Sequence, residues 1–125
     1  MTAPLSDPSP DVQVEERPWG RFQQFVANEQ VTVKTITVEP GHRLSLQRHR
    51  QRGELWQVLD HPVEVTVGDR TWLAPPGELV WVGQGTAHRL GNPGEQPARV
   101  LEIAFGAFDE ADIERLEDDY DRGPR

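Results

Sequence analysis

Two stretches of this 125-residue chain hold side chains whose types and spacing could bind a metal ion. In the first, Gln47 and His49 stand two apart and Glu54 follows; in the second, His88 stands just past the glycine turn Gly83-Gln84-Gly85. Residues two apart on a strand project to the same side, so Gln47 and His49 face one way, and a hairpin through Arg50 to Gly53 brings Glu54 back alongside. His88 can then close the set from the second stretch. Two imidazole nitrogens and two oxygens suit one borderline divalent ion, Zn, Mn, Fe, Co or Ni, and do not suit copper(I) or an iron–sulfur cluster. The sequence has no cysteine, which excludes disulfides and thiolate ligands and leaves His, carboxylate and amide as donors. Taken singly, each His reads more simply as a surface or hydrogen-bonded residue; the four positions together carry the metal reading.

Such a set needs strands to hold it. Short β-rich runs at 31–38, 55–59, 63–67, 79–82 and 100–105 are each closed by a turn signal: Glu39-Pro40-Gly41, Asp60-His61-Pro62, Gly68-Asp69, Ala74-Pro75-Pro76-Gly77, Asn92-Pro93-Gly94. This spacing predicts an all-β antiparallel sandwich or barrel. The length allows one domain, and there is no internal repeat. Residues 1–16, rich in Pro, Ser and Asp, predict a disordered arm, with structure beginning at Arg17-Pro18-Trp19-Gly20. At the other end Asp109 can cap a short helix over 109–120 whose apolar face is Ile113, Leu116 and Tyr120, with Glu110 and Asp112 at the positive end of its dipole.

A formal net charge of −8 argues against a nucleic-acid partner. No apolar run approaches the ~18 residues of a membrane span, and the N-terminus lacks a basic and then an apolar region, so no membrane partner and a cytoplasmic location are expected. Lys34 is the single lysine, and Arg43, Arg48, Arg50 and Arg52 fall close together. They form either an exposed charged loop or an anion-attracting mouth on an otherwise acidic protein.

The spacings Gly41-x5-Gln47-x-His49-x4-Glu54 and Gly77-x5-Gly83-x-Gly85-x2-His88-x3-Asn92 resemble the two cupin motifs, which usually have His at position 47, Gly at 61 and Pro at 83. The resemblance implies a small jelly-roll barrel, the double-stranded β-helix, over 17–122 with the C-terminal helix outside it. Arg17-Pro18-Trp19-Gly20, the run from Val33 to Gly41, and Leu44-Ser45-Leu46-Gln47 look like the cupin domain of type II mannose-6-phosphate isomerases (phosphomannose isomerases). The run from Asp112 to Tyr120 resembles that family's C-terminal signature, and the similarity extends in order over 16–122. Many members carry this domain behind a sugar-nucleotide pyrophosphorylase domain, to which nothing in this sequence corresponds.

The resemblance implies interconversion of mannose 6-phosphate and fructose 6-phosphate with one divalent metal, which orients the C1 and C2 oxygens while a base moves a proton through an enediol. Lys34 shares parity with Ile36 and Val38, so it is either an interior base or phosphate anchor or an exposed strand lysine. Arg52 matches an arginine of the family's QxHHHRxEHW-like segment and is a candidate for the phosphate or the sugar oxyanion. Arg89 is a second substrate candidate, although an inward His88 turns it outward. Glu102 stands where the family also has a glutamate, with Ala104 replacing a polar partner. Trp56 shares parity with Glu54 and can line the pocket; Trp19, Trp72 and Trp81 read as packing or dimer-surface residues. Two departures bear on activity. His49-Arg50-Gln51 replaces three consecutive histidines, and Leu55 replaces the histidine after the ligand glutamate. They leave open a metal-containing cupin that binds a sugar or sugar phosphate without turnover; an Fe(II) dioxygenase would suit the fold but has no sequence sign of its own. Cupins often pair through their sheets, so the resemblance also implies a homodimer.

Overall fold

The computed structural model describes residues 5–120. Among them a 3-10 turn, Ser9–Asp11, precedes eleven strands. The first six are β1 (Gln13–Arg17), β2 (Gly20–Gln24), β3 (Val31–Val38), β4 (Leu46–Arg48), β5 (Arg52–Val58) and β6 (Val63–Val67). The rest are β7 (Arg70–Ala74), β8 (Leu79–Val82), β9 (His88–Gly91), β10 (Ala98–Gly106) and β11 (Glu114–Glu117). Beside the β1-β2 hairpin stand a four-stranded sheet, β3-β10-β5-β8, and a five-stranded sheet, β11-β4-β9-β6-β7, with every pairing antiparallel. The expected all-β jelly-roll barrel is what forms.

Alternation along each strand builds the core. Trp56 and Val58 of β5, Val100 of β10, Val63 and Val65 of β6 and Leu90 of β9 are buried in one cluster. The four-stranded sheet is apolar on its other face as well, where Leu55, Ile103 and Phe105 form a second cluster. Leu5, Val12, Phe25 and Val26 cover that cluster, which corrects the expectation of a disordered arm over 1–16. Leu5 N–H also donates to Gln84 Oε1, and β1 pairs with β2 from Gln13 onward. The arm has too few apolar residues to make a face of its own, but a sheet buried on both sides needs only a few to cover it. Residues 1–4 of that arm, and 121–122 of the expected domain, lie outside the described residues.

The expected helix over 109–120 is also corrected. Asp109 does cap, accepting from Ala111 N–H, but only one turn follows before the chain extends as β11 against β4. Ion pairs from Arg48 to Glu114 (2.8 Å) and from Arg89 to Glu117 (3.1 Å) fasten this strand. The supposed apolar face is not buried: Leu116 and Tyr120 are exposed. Spacings of three and four in so acidic a segment mimic a helix, whereas a free sheet edge offers backbone partners to every extended residue.

Gly106 joins β10 to the segment that leads into β11. Its φ is +96°, and a Cβ there would lie 2.5 Å from the Gln51 carbonyl oxygen, a backbone atom with nowhere to go. Gly106→Ala is therefore expected to destabilise the protein by about 2–4 kcal/mol, from overpacking added to a left-handed backbone. A denaturant titration that finds the two proteins equal would contradict this. No helix among the described residues is long and apolar enough to cross a membrane.

Candidate metal centre

His49 follows β4, Glu54 lies in β5 and His88 opens β9, so the three arrive from both sheets. All are buried, and one ligand atom from each lies within 4.8 Å of the others. Strand alternation explains their direction. Glu54 is on the same face of β5 as the core residues Trp56 and Val58, while Leu55 between them joins the outer cluster. Gln47 stands directly opposite His88 in the β4–β9 pairing and so shares its face. Its Oε1 accepts from the buried Ser45 hydroxyl at 2.9 Å, which leaves a second lone pair on that oxygen.

The hydrogen bonds fix both imidazole tautomers. A carbonyl only accepts, so His49 Nδ1–H donates to Asp112 O (2.6 Å) and His88 Nδ1–H donates to Thr86 O (2.9 Å). Each Nε2 therefore carries a lone pair and lies 3.5 Å from one of the two Glu54 oxygens, that of His49 accepting from Arg52 Nη2 and that of His88 left without a hydrogen-bond donor. Bonds of about 2.1 Å at tetrahedral angles set ligand atoms about 3.4 Å apart, close to these separations. His88 Nε2 is buried with no partner. Such an orphaned lone pair is costly, and a cation among the three atoms would satisfy it. Burial holds both imidazoles below their usual range, which keeps them neutral and able to ligate. Burial alone would push the Glu54 carboxyl up; positive charge on His88 and His49 whenever those rings are protonated, together with the hydrogen bond and charge of the Arg52 guanidinium, acts against it and holds the group below its usual range. A buried anion with two neutral imidazoles fits a borderline divalent ion.

Arg52 is buried and fully engaged. Its Nε donates to Glu54 Oε2 (3.1 Å), Nη1 to Asp109 O (3.2 Å) and Nη2 to His49 Nε2 (3.2 Å), while Phe108 lies 4.3 Å below the guanidinium. It holds Glu54 in place and bonds the His49 Nε2 lone pair, a bond that an ion held by His49 would replace. Trp56 Nε1–H donates to Glu54 Oε1 at 3.3 Å. Glu102 stands between Lys34 and Trp56 in the strand register. Its carboxyl is pushed up to about 7, first by burial and then by the charge of Glu54, against the pull of Lys34. Lys34 itself is half-exposed, paired with Glu102 (3.7 Å) and Glu110 (3.5 Å). Arg89, next to inward His88, points the other way; Nε donates to Leu44 O and Nη1 to Glu117, so it anchors β11 instead of facing the His49–Glu54–His88 cluster.

Sequence reasoning missed the segment between β10 and β11. Besides bonding His49 through its carbonyl, Asp112 accepts from Arg50 N–H and Gln51 N–H with its carboxylate, both at 2.9 Å. It thus fixes the His49 ring and the turn into β5. The signal was present as an acid at 112 but was absorbed into the supposed helix. Asp112→Ala should weaken divalent metal binding about tenfold, the low end for groups that orient a ligand. Calorimetric titration with Zn, read together with the His49 Nδ1 nitrogen shift, checks this; an unchanged affinity would contradict it.

An antiparallel barrel with a His–Glu–His cluster between its sheets is the architecture of the cupin class. A double-stranded β-helix domain protein from Klebsiella pneumoniae superposes with a TM-score of 0.63 over 74% of this chain and 79% of its own, at 17% identity, a likeness of fold alone. The chain belongs to the mannose-6-phosphate isomerase C-terminal family, whose pattern matches residues 11–118. It is 42% identical over 107 residues to the alginate biosynthesis protein AlgA of Pseudomonas aeruginosa. To the mannose-1-phosphate guanylyltransferase ManC of Salmonella typhimurium it is 38% identical over 107 residues. Each match takes in 85% of this chain and 22% of the relative, so the chain spans under a quarter of those proteins.

Proposed function

We propose that this chain is a metal-dependent sugar-phosphate isomerase that interconverts mannose 6-phosphate and fructose 6-phosphate. The observation that carries the reading is the buried His49–Glu54–His88 cluster with a further buried carboxyl, Glu102, next to Trp56 on the adjoining strand, in a chain of this family. A bound divalent ion would supply a Lewis acid for the C1 and C2 oxygens. His49, Glu54 and His88 would hold it, with Gln47 as a fourth donor. Glu102, near neutrality in its proton affinity, is suited to take a proton from one carbon and return it to the next. Lys34 tunes that carboxyl by its charge, and Trp56 steadies Glu54 through its indole N–H.

The departures from the family pattern bear little on this chemistry. Leu55 lies in the outer cluster, on the face away from Glu54, so a histidine there would point away from the metal. Arg50 and Gln51 are exposed turn residues. These placements weaken the alternative of a cupin that binds a sugar phosphate without turning it over.

A coupled assay on protein reloaded in turn with Zn, Mn, Co, Ni and Fe(II) tests the reading. Turnover is expected with at least one metal, and Glu102→Gln should lower kcat at least about a hundredfold, the weight of a general acid–base group. As a base Glu102 acts once deprotonated, so kcat/KM should rise with pH through a limb near or below about 7, the bound cation drawing it downward. Silence with every metal while metal still binds would leave the non-catalytic cupin.

A further inference from the structure

We propose that Arg115, on the edge strand β11, is the anchor for the substrate's phosphate. This rests on the sugar-phosphate reading and names the group that recognises the anionic end. Arg115 stands directly opposite Gln47, and Gln47 directly opposite His88, so the three form one row across β11, β4 and β9. Residues opposite one another in a ladder project to the same side, which turns Arg115 toward the ligand face.

Its guanidinium is unengaged. Arg115 is half-buried, its Nε is shielded from solvent without a hydrogen-bond partner, and it makes no ion pair among the described residues. The chain has 21 acidic against 13 basic residues, so a carboxylate partner is easy to find, and apart from Arg50 in the exposed turn before β5 the neighbouring arginines have found one. Arg43 pairs with Asp119, Arg48 with Glu114 and Arg89 with Glu117. On the ligand side, Arg52 is held by Glu54 and Lys34 by Glu102 and Glu110. Arg115 alone of these is left to meet an anion from outside.

A guanidinium fork matches phosphate oxygens two at a time, which makes it the natural receptor for a phosphate monoester. Position selects the kind of ester. Two strand spacings, about 10 Å, separate the backbones of Arg115 and His88. A phosphate on the terminal carbon of a hexose, far from a C1–C2 end held at the metal, fits that separation better than one beside the reacting carbons.

The test is calorimetric titration of Zn-loaded protein with mannose 6-phosphate, mannose and inorganic phosphate, for wild type, Arg115→Lys and Arg115→Met. Arg115→Met is expected to bind mannose 6-phosphate at least tenfold more weakly and to lose inorganic phosphate, with mannose and Zn affinities unchanged and Arg115→Lys intermediate. In wild type, the Arg115 Nε–H resonance should shift on adding inorganic phosphate, a readout that does not depend on any variant folding. Equal mannose 6-phosphate affinity in wild type and Arg115→Met, or a stationary Nε–H resonance, would overturn the assignment and leave the isomerase reading standing. Phosphate binding that depends on Arg115, without turnover of mannose 6-phosphate, would support the assignment while removing the isomerase.

Discussion

Replacing His88 by Ala should abolish tight metal binding and reduce isomerisation to background while the barrel still folds. The ring contributes one of three converging donor atoms, and its Nε2 has no protein partner to lose. Groups that merely orient a metal ligand already account for 10- to 100-fold in affinity, so loss of the ligand itself should exceed about a hundredfold. The pH dependence follows from the same burial. Protons compete with the metal for an imidazole only below its pKa, and both imidazoles are held below their usual range. Wild-type metal affinity should therefore persist as pH falls through the ordinary imidazole range and fail only below it. Calorimetry across that range, with circular dichroism of the variant, decides the matter; Zn binding of wild-type strength in His88→Ala would refute the ligand assignment.

Arg52→Leu should be the most destabilising single change near the site. It removes the cation held 3.1 Å from Glu54 and leaves a buried carboxylate without its partner, a loss of about 3–5 kcal/mol for a broken buried pair. Glu54 is held below its usual range in the folded protein, so its contribution to stability is present above the unfolded carboxyl's pKa and is lost as pH falls through the folded value. Arg52→Leu should remove the part of that contribution that comes from the guanidinium's hydrogen bond and charge. A divalent ion beside Glu54 replaces the missing positive charge, so metal should rescue the variant's melting temperature by more than it raises that of wild type. Equal destabilisation with and without metal would show that Arg52 acts through packing alone.

The sequence announced its strands where apolar runs end in a proline or glycine turn, and 31–38, 63–67 and 79–82 are strands over those same residues. The run expected at 55–59 starts three residues earlier, at Arg52, because the ligand motif is itself strand. Polar strands were harder to see. Gln13–Arg17 has little alternation of its own and becomes a strand through its pairing with β2. Glu114–Glu117 imitates a helix because two hydrophobic side chains three apart, Ile113 and Leu116, say nothing about which sheet edge is vacant. The convergence of His49, Glu54 and His88 could be read from spacing, since side chains on neighbouring strands obey simple parity. The engagement of Arg52, the outward turn of Arg89 and the part taken by Asp112 depend on where the chain between β10 and β11 crosses the site. No local pattern encodes that path.

The most direct test of the central claim is to follow mannose 6-phosphate labelled with carbon-13 at C2, by carbon NMR, in the presence of metal-loaded protein. The aldose C2 resonance is expected to give way to the ketose C2 resonance of fructose 6-phosphate until equilibrium, and chelation or His88→Ala to stop the conversion. An aldose resonance that stays unchanged, with metal demonstrably bound, would contradict it.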